Sequence, residues 1–158
     1  MRLAKRMAQA SMQVLSHYWH EGSTGVSSVL ARFAKATSDQ RYLSLLADVE
    51  QNIVRPYVQF PGFFLGWSGM GNFMLDAYSL FGDAKYLRNA SKVARGVIRC
   101  GVKKSQGIAF PGNQLYRFST DFGTGSAGIA LFRHRLMQAK VSTTGGPDFN
   151  FTIDQLLA

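Results

Sequence analysis

The chain has 158 residues, of which 46% are hydrophobic and 17% charged, a composition typical of one globular domain and unlike that of a disordered protein. Its single cysteine, Cys100, excludes an internal disulfide framework and a cysteine-based metal cluster within one chain, and it favours a reducing, cytoplasmic setting. The net charge is +9, and no apolar run approaches the roughly 20 residues that span a bilayer, so we expect no membrane partner.

The first predicted helix spans residues 2–18. One face of this segment is apolar, and the segment is basic because the first acidic residue is Glu21. A mitochondrial transit peptide has the same character, but this segment continues into a glycine turn without a cleavage-like break. We therefore predict an ordinary packing helix, with an apolar face formed by Leu3, Met7, Ala10, Val14 and Tyr18.

Three glycine turns of the form G-x-x-G-apolar follow, each at the start of a helical pattern: Gly22–Val26, Gly66–Met70 and Gly125–Ile129. The first two lie 44 residues apart, and a second landmark returns at the same offset, with tyrosines at positions 42 and 86. Two landmarks at one offset indicate a tandem repeat. The glycines either let the connections pack closely or line a cavity, and close packing is the favoured interpretation.

Each copy predicts a helix, a short break and a second helix, which is the pattern of an antiparallel helical hairpin. In the first copy, the buried stripe of the first helix is predicted to be Val26, Val29, Leu30 and Phe33. Ser38-Asp39 then supplies the N-cap of a second helix, which ends before Pro56 and has the stripe Tyr42, Leu46, Val49 and Ile53. In the second, the stripe is predicted to be Met70, Phe73, Met74, Ala77 and Phe81. Gly82-Asp83 then breaks the helix and caps the next one, whose stripe is Tyr86, Ala90, Val93 and Val97.

The third copy is preceded by an insertion and is incomplete. Residues 100–122 form either a loop or a short hairpin of strands, after which Ile129, Phe132 and Leu136 begin a helix that has no partner. We divide the chain into three hairpin repeats at residues 1–141 and a linker with a C-terminal tail at 142–158. The residues predict an all-α array that is part of a larger one, because stacked hairpins bury their cores only against neighbours.

A basic stripe occupies one predicted helix. Lys85, Arg88, Lys92, Arg95 and Arg99 recur at steps of three and four residues, which places them on one face. A solvated outer face is the favoured interpretation, and a site for an acidic peptide is the alternative. Nucleic acid is an unlikely partner because no aromatic interleaving or nucleic-acid motif accompanies the stripe.

Longer strings around the turns resemble the repeats of the lanthionine synthetase C-like proteins: residues 19–26 (WHEGSTGV), 66–76 (GWSGMGNFMLD) and 121–132 (DFGTGSAGIALF). The last two, with residues 110–112 (FPG) and 149–157 (FNFTIDQLL), are most similar to the C-terminal cyclase domain of class III lanthipeptide synthetases, which are kinase–cyclase fusions. The resemblance runs from about residue 15 to the end of the chain.

The resemblance implies a partial (α/α) toroid of helical hairpins. It also implies a reaction, in which a cysteine thiol of a precursor peptide adds to dehydroalanine or dehydrobutyrine and forms a thioether ring. Zinc-bearing relatives hold the metal with a Cys and a Cys-His pair just before two of the turns. The corresponding positions here are His20-Glu21 and Phe64-Leu65, so we expect no metal and no other cofactor.

Four residues are candidates for catalysis: His20, Glu21, Asp76 and Asp121. An imidazole can take a proton from a thiol, since histidine ordinarily titrates near neutral pH, although a capping role for His20 is the favoured alternative. Asp76 and Asp121 would also suit a glycosidase of six-hairpin architecture, which needs two carboxyls at a set separation. Asp121 is equally suited to capping the third turn.

We therefore expect the C-terminal part of a lanthionine cyclase domain, inactive alone or active with a companion kinase, lyase or cyclase chain. Its expected partner is a precursor peptide with a leader. The alternatives are a non-catalytic peptide-binding module that uses the basic stripe, and a fragment of a carbohydrate-active six-hairpin enzyme.

Overall fold

The computed structural model describes residues 16–55 and 58–141. The predicted first helix lies outside this range except for residues 16–18, which are not helical, so the predicted end of that helix is wrong. The predicted linker and tail at 142–158 also lie outside it. Within the described ranges, no helix has both the length and the apolar character needed to cross a membrane.

Helix α1 spans Ser23–Thr37 and ends where Ser38 adopts a left-handed conformation and donates its backbone N–H to the carbonyl of Ala34. Its buried side chains are small and mostly polar: Ser23, Thr24, Ser27, Ser28, Ala31 and Ala34. The predicted buried stripe is wrong, because Val26, Val29 and Phe33 are each about half exposed, and only Leu30 packs partly against the core. The small residues form the face that meets the rest of the array, whereas Val26 and Val29 are exposed and the ring of Phe33 lies 5.6 Å from that of Tyr42.

Helix α2 spans Gln40–Glu50 and begins as predicted at Asp39, whose side chain accepts a hydrogen bond from the backbone N–H of Arg41 at 2.8 Å. It ends six residues before Pro56, earlier than the sequence predicts, and residues 51–53 continue as a turn. Leu46 and Ile53 are buried as predicted. Helices α1 and α2 pack together as the first hairpin.

Helix α3 spans Trp67–Phe81 and is the centre of the array. Every residue from Ser68 to Ala77 is buried, because α1 packs on one side of the helix and other elements cover the rest. The helix ends at Gly82, which adopts a positive φ of 70° that glycine tolerates without steric cost. The predicted stripe is buried except for Phe81, which is half-buried.

Helix α4 spans Ala84–Arg99 and completes the second hairpin against α3. Asp83 caps it through the backbone N–H of Lys85 at 2.8 Å, as predicted. One face is buried and includes the predicted Tyr86, Ala90, Val93 and Val97. The Tyr86 hydroxyl also donates a hydrogen bond to the carboxylate of Glu50, which ties α4 to α2.

The insertion contains a short hairpin of strands, one of the two alternatives that the sequence left open. Strands β1 (Val102–Lys104) and β2 (Gly107–Ala109) pair antiparallel, with Lys103 opposite Ile108. A short 3-10 helix at Asn113–Leu115 and a bridge between Pro111 and Phe118 follow.

Helix α5 spans Ser126–Val141 and packs against α3 and α4. Ile129, Phe132 and Leu136 are buried as predicted, and Arg135 is buried among them. Helix α3 thus lies between α1 and α5, while α2 packs against α1 and α4 packs against α3 and α5. The prediction of an all-α, partial toroid of helical hairpins is confirmed, with β1 and β2 as a small addition.

Candidate functional site

The three glycine turns have the same backbone hydrogen bond. In each, the residue after the first glycine donates its N–H to the carbonyl seven positions earlier, so that the chain folds back before the helix begins. The three bonds measure 2.8–3.0 Å and join Ser23 to Ser16, Trp67 to Phe60, and Ser126 to Ser119.

This geometry explains why both glycines of each turn recur. A Cβ atom on the first glycine would lie 2.2–2.5 Å from the carbonyl oxygen that closes the turn, in Gly22, Gly66 and Gly125 alike. A Cβ atom on the second would lie 2.0–2.2 Å from another carbonyl oxygen, as at Gly69 and Phe63. These distances are too short for any side chain, so the spacing has a packing cause and follows the favoured interpretation of the sequence.

The turns also contact one another along a rim. The backbone N–H of His20 donates to the carbonyl of Phe64 at 3.0 Å, and that of Phe64 donates to the carbonyl of Gly123 at 2.7 Å. His20, Phe64 and Gly123 each lie two residues before the first glycine of their turn. The same position of three repeats is therefore joined into one ladder, which we call the rim.

An aromatic cluster lies beneath the rim. Phe63 is fully buried, with its ring centroid 5.2 Å from that of Trp19 and 4.8 Å from that of Phe122. The ring of Phe64 stacks on Trp19 at 5.9 Å and on the imidazole of His20 at 5.5 Å. His20 is exposed, so its imidazole lies on an apolar platform open to solvent, beside the exposed Glu21.

Asp121 has a structural position in the third turn. Its carboxylate accepts a hydrogen bond from the Ser119 hydroxyl, from the Thr124 backbone N–H at 2.6 Å and from the Thr124 hydroxyl at 2.8 Å. These bonds favour the ionised form, first that from Ser119 and then that from the Thr124 backbone, and lower the pKa of Asp121 to about 2. The carboxylate caps the turn, as one of the two interpretations of the sequence proposed.

Asp76 lies away from the rim, in the interior. It is nine residues beyond Trp67 on α3, roughly 14 Å along the helix at 1.5 Å per residue. Arg135 donates to its carboxylate at 2.5 Å, and Arg32 lies 3.7 Å from its other oxygen. The structure therefore does not bring Asp76 together with His20 and Glu21. The Asp76 residue as a whole is only 4% exposed.

The network around Asp76 joins the three inner helices. Arg135 of α5 also donates to the amide oxygen of Asn72 at 2.8 Å, and Arg32 of α1 donates to the carbonyl of Ser28 at 3.0 Å. Sequence analysis missed both arginines and Asn72. Two signals were present: Arg135 interrupts an apolar stripe three residues after Phe132, and Asn72 and Asp76 share one face of α3 at a spacing of four.

The described residues do not fit the zinc site of the zinc-bearing relatives. Across residues 16–55 and 58–141, no group of three or more His, Cys, Asp or Glu side chains could hold a metal ion. At the position before the second turn, Phe64 packs in the aromatic cluster. Cys100 lies at the end of α4, where burial raises the pKa of its thiol.

The basic stripe lies on the exposed face of α4, and its cations differ in their surroundings. Lys85, at the start of the helix, is 3.6 Å from carboxylate oxygens of both Glu50 and Asp83. For the other four, Arg88, Lys92, Arg95 and Arg99, the described part of the chain supplies no carboxylate within 4.0 Å.

Comparison with known proteins agrees with the repeated turns. The family model described as lanthionine synthetase C-like protein matches residues 4–147, a range that contains all three turns, the rim and the inner helices. No curated protein matches the chain. Because the family match covers most of the sequence, the chain belongs to the lanthionine synthetase C-like family.

Proposed function

We propose that this chain forms thioether rings in a precursor peptide, as the cyclase portion of a class III-like lanthipeptide synthetase. The observation that carries the proposal is the family match over residues 4–147. The exposed imidazole of His20 on the rim supports it, because this group is open to a peptide and lies on an apolar surface.

In the proposed reaction, the sulfur of a peptide cysteine bonds to the β-carbon of dehydroalanine or dehydrobutyrine. The π electrons of the double bond move towards the α-carbon and its carbonyl, and a proton then adds to the α-carbon. His20 accepts the proton of the thiol and returns a proton to the α-carbon, so the reaction consumes and releases none. Glu21 stabilises the transient imidazolium through its negative charge.

The remaining candidates have other roles in this proposal. Asp76 holds the inner helices together through Arg135, and Asp121 maintains the third turn. Neither carboxyl suits the general acid of a glycosidase, which needs a raised pKa and access to a sugar: the pKa of Asp121 is lowered to about 2, and Asp76 is buried against Arg135. No step is assigned to a metal, because the side chains at the rim do not supply its ligand set.

The reaction also implies partners. Its substrate must already be dehydrated, so a kinase and a lyase have to phosphorylate serine or threonine and eliminate the phosphate beforehand. We propose that a companion kinase–lyase provides this substrate, on a precursor peptide with a leader, in a reducing cytoplasmic setting that keeps peptide thiols free.

The test is a count of free thiols. The full chain is incubated with a dehydrated precursor peptide, with and without its companion kinase–lyase, beside the peptide alone. We expect thiol loss and no change in peptide mass, because the addition is an isomerisation. Thiol loss no faster than with the peptide alone, in both arms, would refute the proposal, and one tightly held zinc per purified chain would refute its metal-free form.

Two histidine variants test the assignment of the base. His20→Asn is expected to slow thiol loss by about 100-fold or more, the usual contribution of a general base. His134→Asn removes an equally exposed imidazole from α5 and is expected to change the rate less than about 2-fold. Equal rates for the two variants would show that His20 is not the base.

A second candidate is a non-catalytic peptide-binding module. The concentration of unneutralised cations on α4 supports it, since such a surface attracts acidic peptides. Peptide binding that weakens steeply with salt, without any thiol loss, would favour this module over a cyclase.

A further inference from the structure

The positive charge of the chain is concentrated in one stretch. Residues 84–120 contain eight lysines and arginines and no acidic residue, compared with a net charge of +9 for the whole chain. All eight are exposed: Lys85, Arg88, Lys92, Arg95, Arg99, Lys103, Lys104 and Arg117. This stretch comprises α4 and the β1–β2 hairpin, so the charge collects on one region of the fold.

The β1–β2 hairpin adds apolar side chains to this charge. Between the end of α4 and the hairpin lies an open concavity of about 550 Å³, lined mainly by Ile98, Lys103, Lys104 and Ile108. Ile98 is 48% exposed and Ile108 is 55% exposed, so both present apolar surface to solvent at the concavity. Because Lys103 pairs opposite Ile108, a cation and an aliphatic side chain are neighbours on one face of the hairpin.

An aromatic ring lies against one of the two lysines, and the stripe adjoins the concavity. The Lys104 ammonium lies 4.1 Å from the centre of the Phe118 ring, which favours one arrangement of its long side chain. On α4, Arg95 precedes Ile98 by one helical turn and Arg99 follows it directly, so the concavity is continuous with the basic stripe. The opposite end of the stripe is partly neutralised by Glu50 and Asp83, which contact Lys85.

We propose that this surface, which we call the hairpin surface (Ile98, Lys103, Lys104 and Ile108), binds an acidic amphipathic peptide. An apolar side chain of the peptide enters the concavity between the two isoleucines, and its carboxylates meet the lysines and the end of the stripe. Sequence analysis placed a peptide on α4 alone. With the hairpin included, the proposed binding site is centred on the C-terminal end of α4, and the peptide must also supply an apolar side chain.

A peptide fits this surface better than a nucleic acid does. Single-stranded nucleic acids bind through aromatic rings on which bases stack, and the residues that line the concavity are isoleucines, lysines, glycines and a serine, with no aromatic ring among them. The inference does not rest on the proposed cyclisation, because it concerns binding and uses no residue of the rim. A chain without cyclase activity would still be expected to bind.

The test measures binding of a fluorescent peptide of alternating Glu and Leu to the full chain by anisotropy. Lys103→Gln combined with Lys104→Gln is expected to weaken binding by about 5-fold or more. Lys35→Gln combined with Lys140→Gln removes the same charge from exposed positions on α1 and α5, and is expected to weaken it less than about 2-fold.

Two further probes test the chemistry of the partner. Ile108→Ser is expected to weaken binding of the Glu–Leu peptide by about 3-fold or more and to leave binding of a Glu–Gly peptide unchanged. Circular dichroism and Tm confirm that each variant is folded. Three results would overturn the proposal: no binding by the native chain, equal losses for the two lysine pairs, or tighter binding of an oligouridine that the hairpin variants abolish.

Discussion

Replacing Arg135 by methionine is expected to destabilise the fold strongly, because it breaks a buried ion pair between helices. The guanidinium is 1% exposed and donates to both Asp76 and Asn72, at 2.5 and 2.8 Å. Methionine fills similar space without charge, so the variant leaves the Asp76 carboxylate buried, with Arg32 at 3.7 Å as a more distant cation. Removing one partner of a buried ion pair typically costs about 3–5 kcal/mol, and we expect a loss in that range.

The loss is measured by equilibrium unfolding in urea. With a slope of about 2 kcal/mol/M for a chain of this size, the midpoint is expected to fall by about 1.5–2.5 M. Arg133→Met, two residues away on α5 and less buried, is the matched control and is expected to cost less than about 0.5 kcal/mol. Adding Asp76→Asn to Arg135→Met is expected to recover part of the loss, because both charges are then removed.

A loss below about 1 kcal/mol for Arg135→Met, or one no larger than that for Arg133→Met, would refute this reasoning. It would mean that the network around Asp76 does not hold the three inner helices together, and that Asp76 is available for another role.

Three other predictions follow from the turns and the helix faces. Gly66→Ala is expected to lower the free energy of unfolding by about 3 kcal/mol, because its Cβ atom would lie 2.4 Å from a carbonyl oxygen. Gly82→Ala is the control: only its positive φ is strained, so it should cost about 1 kcal/mol in the same unfolding assay. Asp121→Ala should lower the Tm at neutral pH. Since the folded-state pKa lies below the ordinary 3.8, the ionised carboxylate stabilises the fold above about pH 4, and the difference in Tm should shrink as the pH falls from about 4 through about 2. Val29→Ala should change stability by less than about 0.5 kcal/mol and Phe73→Ala should reduce it by about 3–5 kcal/mol, although the two occupy the same position of the repeat.

The repeat was readable from the sequence because its cause is local. In each turn, a Cβ atom on either glycine would lie within 2.5 Å of a backbone carbonyl oxygen, so a side chain there is strongly disfavoured and the spacing is visible in a single chain. The caps at Asp39 and Asp83 were predicted for the same reason, since each side chain bonds a backbone N–H two residues later. Features set within about seven residues were therefore predicted correctly.

The errors concern partners that are distant in the sequence. Periodicity distinguishes two faces of a helix but does not identify which one meets a neighbour, and in α1 the small polar face is the buried one. Arg135 was missed because its partner Asp76 lies 59 residues earlier, on another helix. The ion pair of Asp76 was missed for the same reason, since a lone carboxylate within a helix gives no sign of the cation that neutralises it.

The hairpin surface could not be predicted from the sequence for a similar reason. The sequence left residues 100–122 either as a loop or as strands, and only the pairing of β1 with β2 brings Lys103 opposite Ile108. The two lysines follow the basic stripe in the sequence, but their isoleucine neighbours come from elsewhere in the chain, one from α4 and one from β2.

The most direct test of the proposed function of the rim is to follow the NMR signals of the imidazole side chains while a dehydrated precursor peptide is added. The chain has three histidines, and His17 is half-buried while His134 lies on the exposed side of α5. If the peptide is processed at the rim, the signals of His20 shift or broaden with added peptide, and those of His134 do not. Shifts at His134 with none at His20 would contradict the account, as would saturable binding that leaves all three imidazoles unchanged.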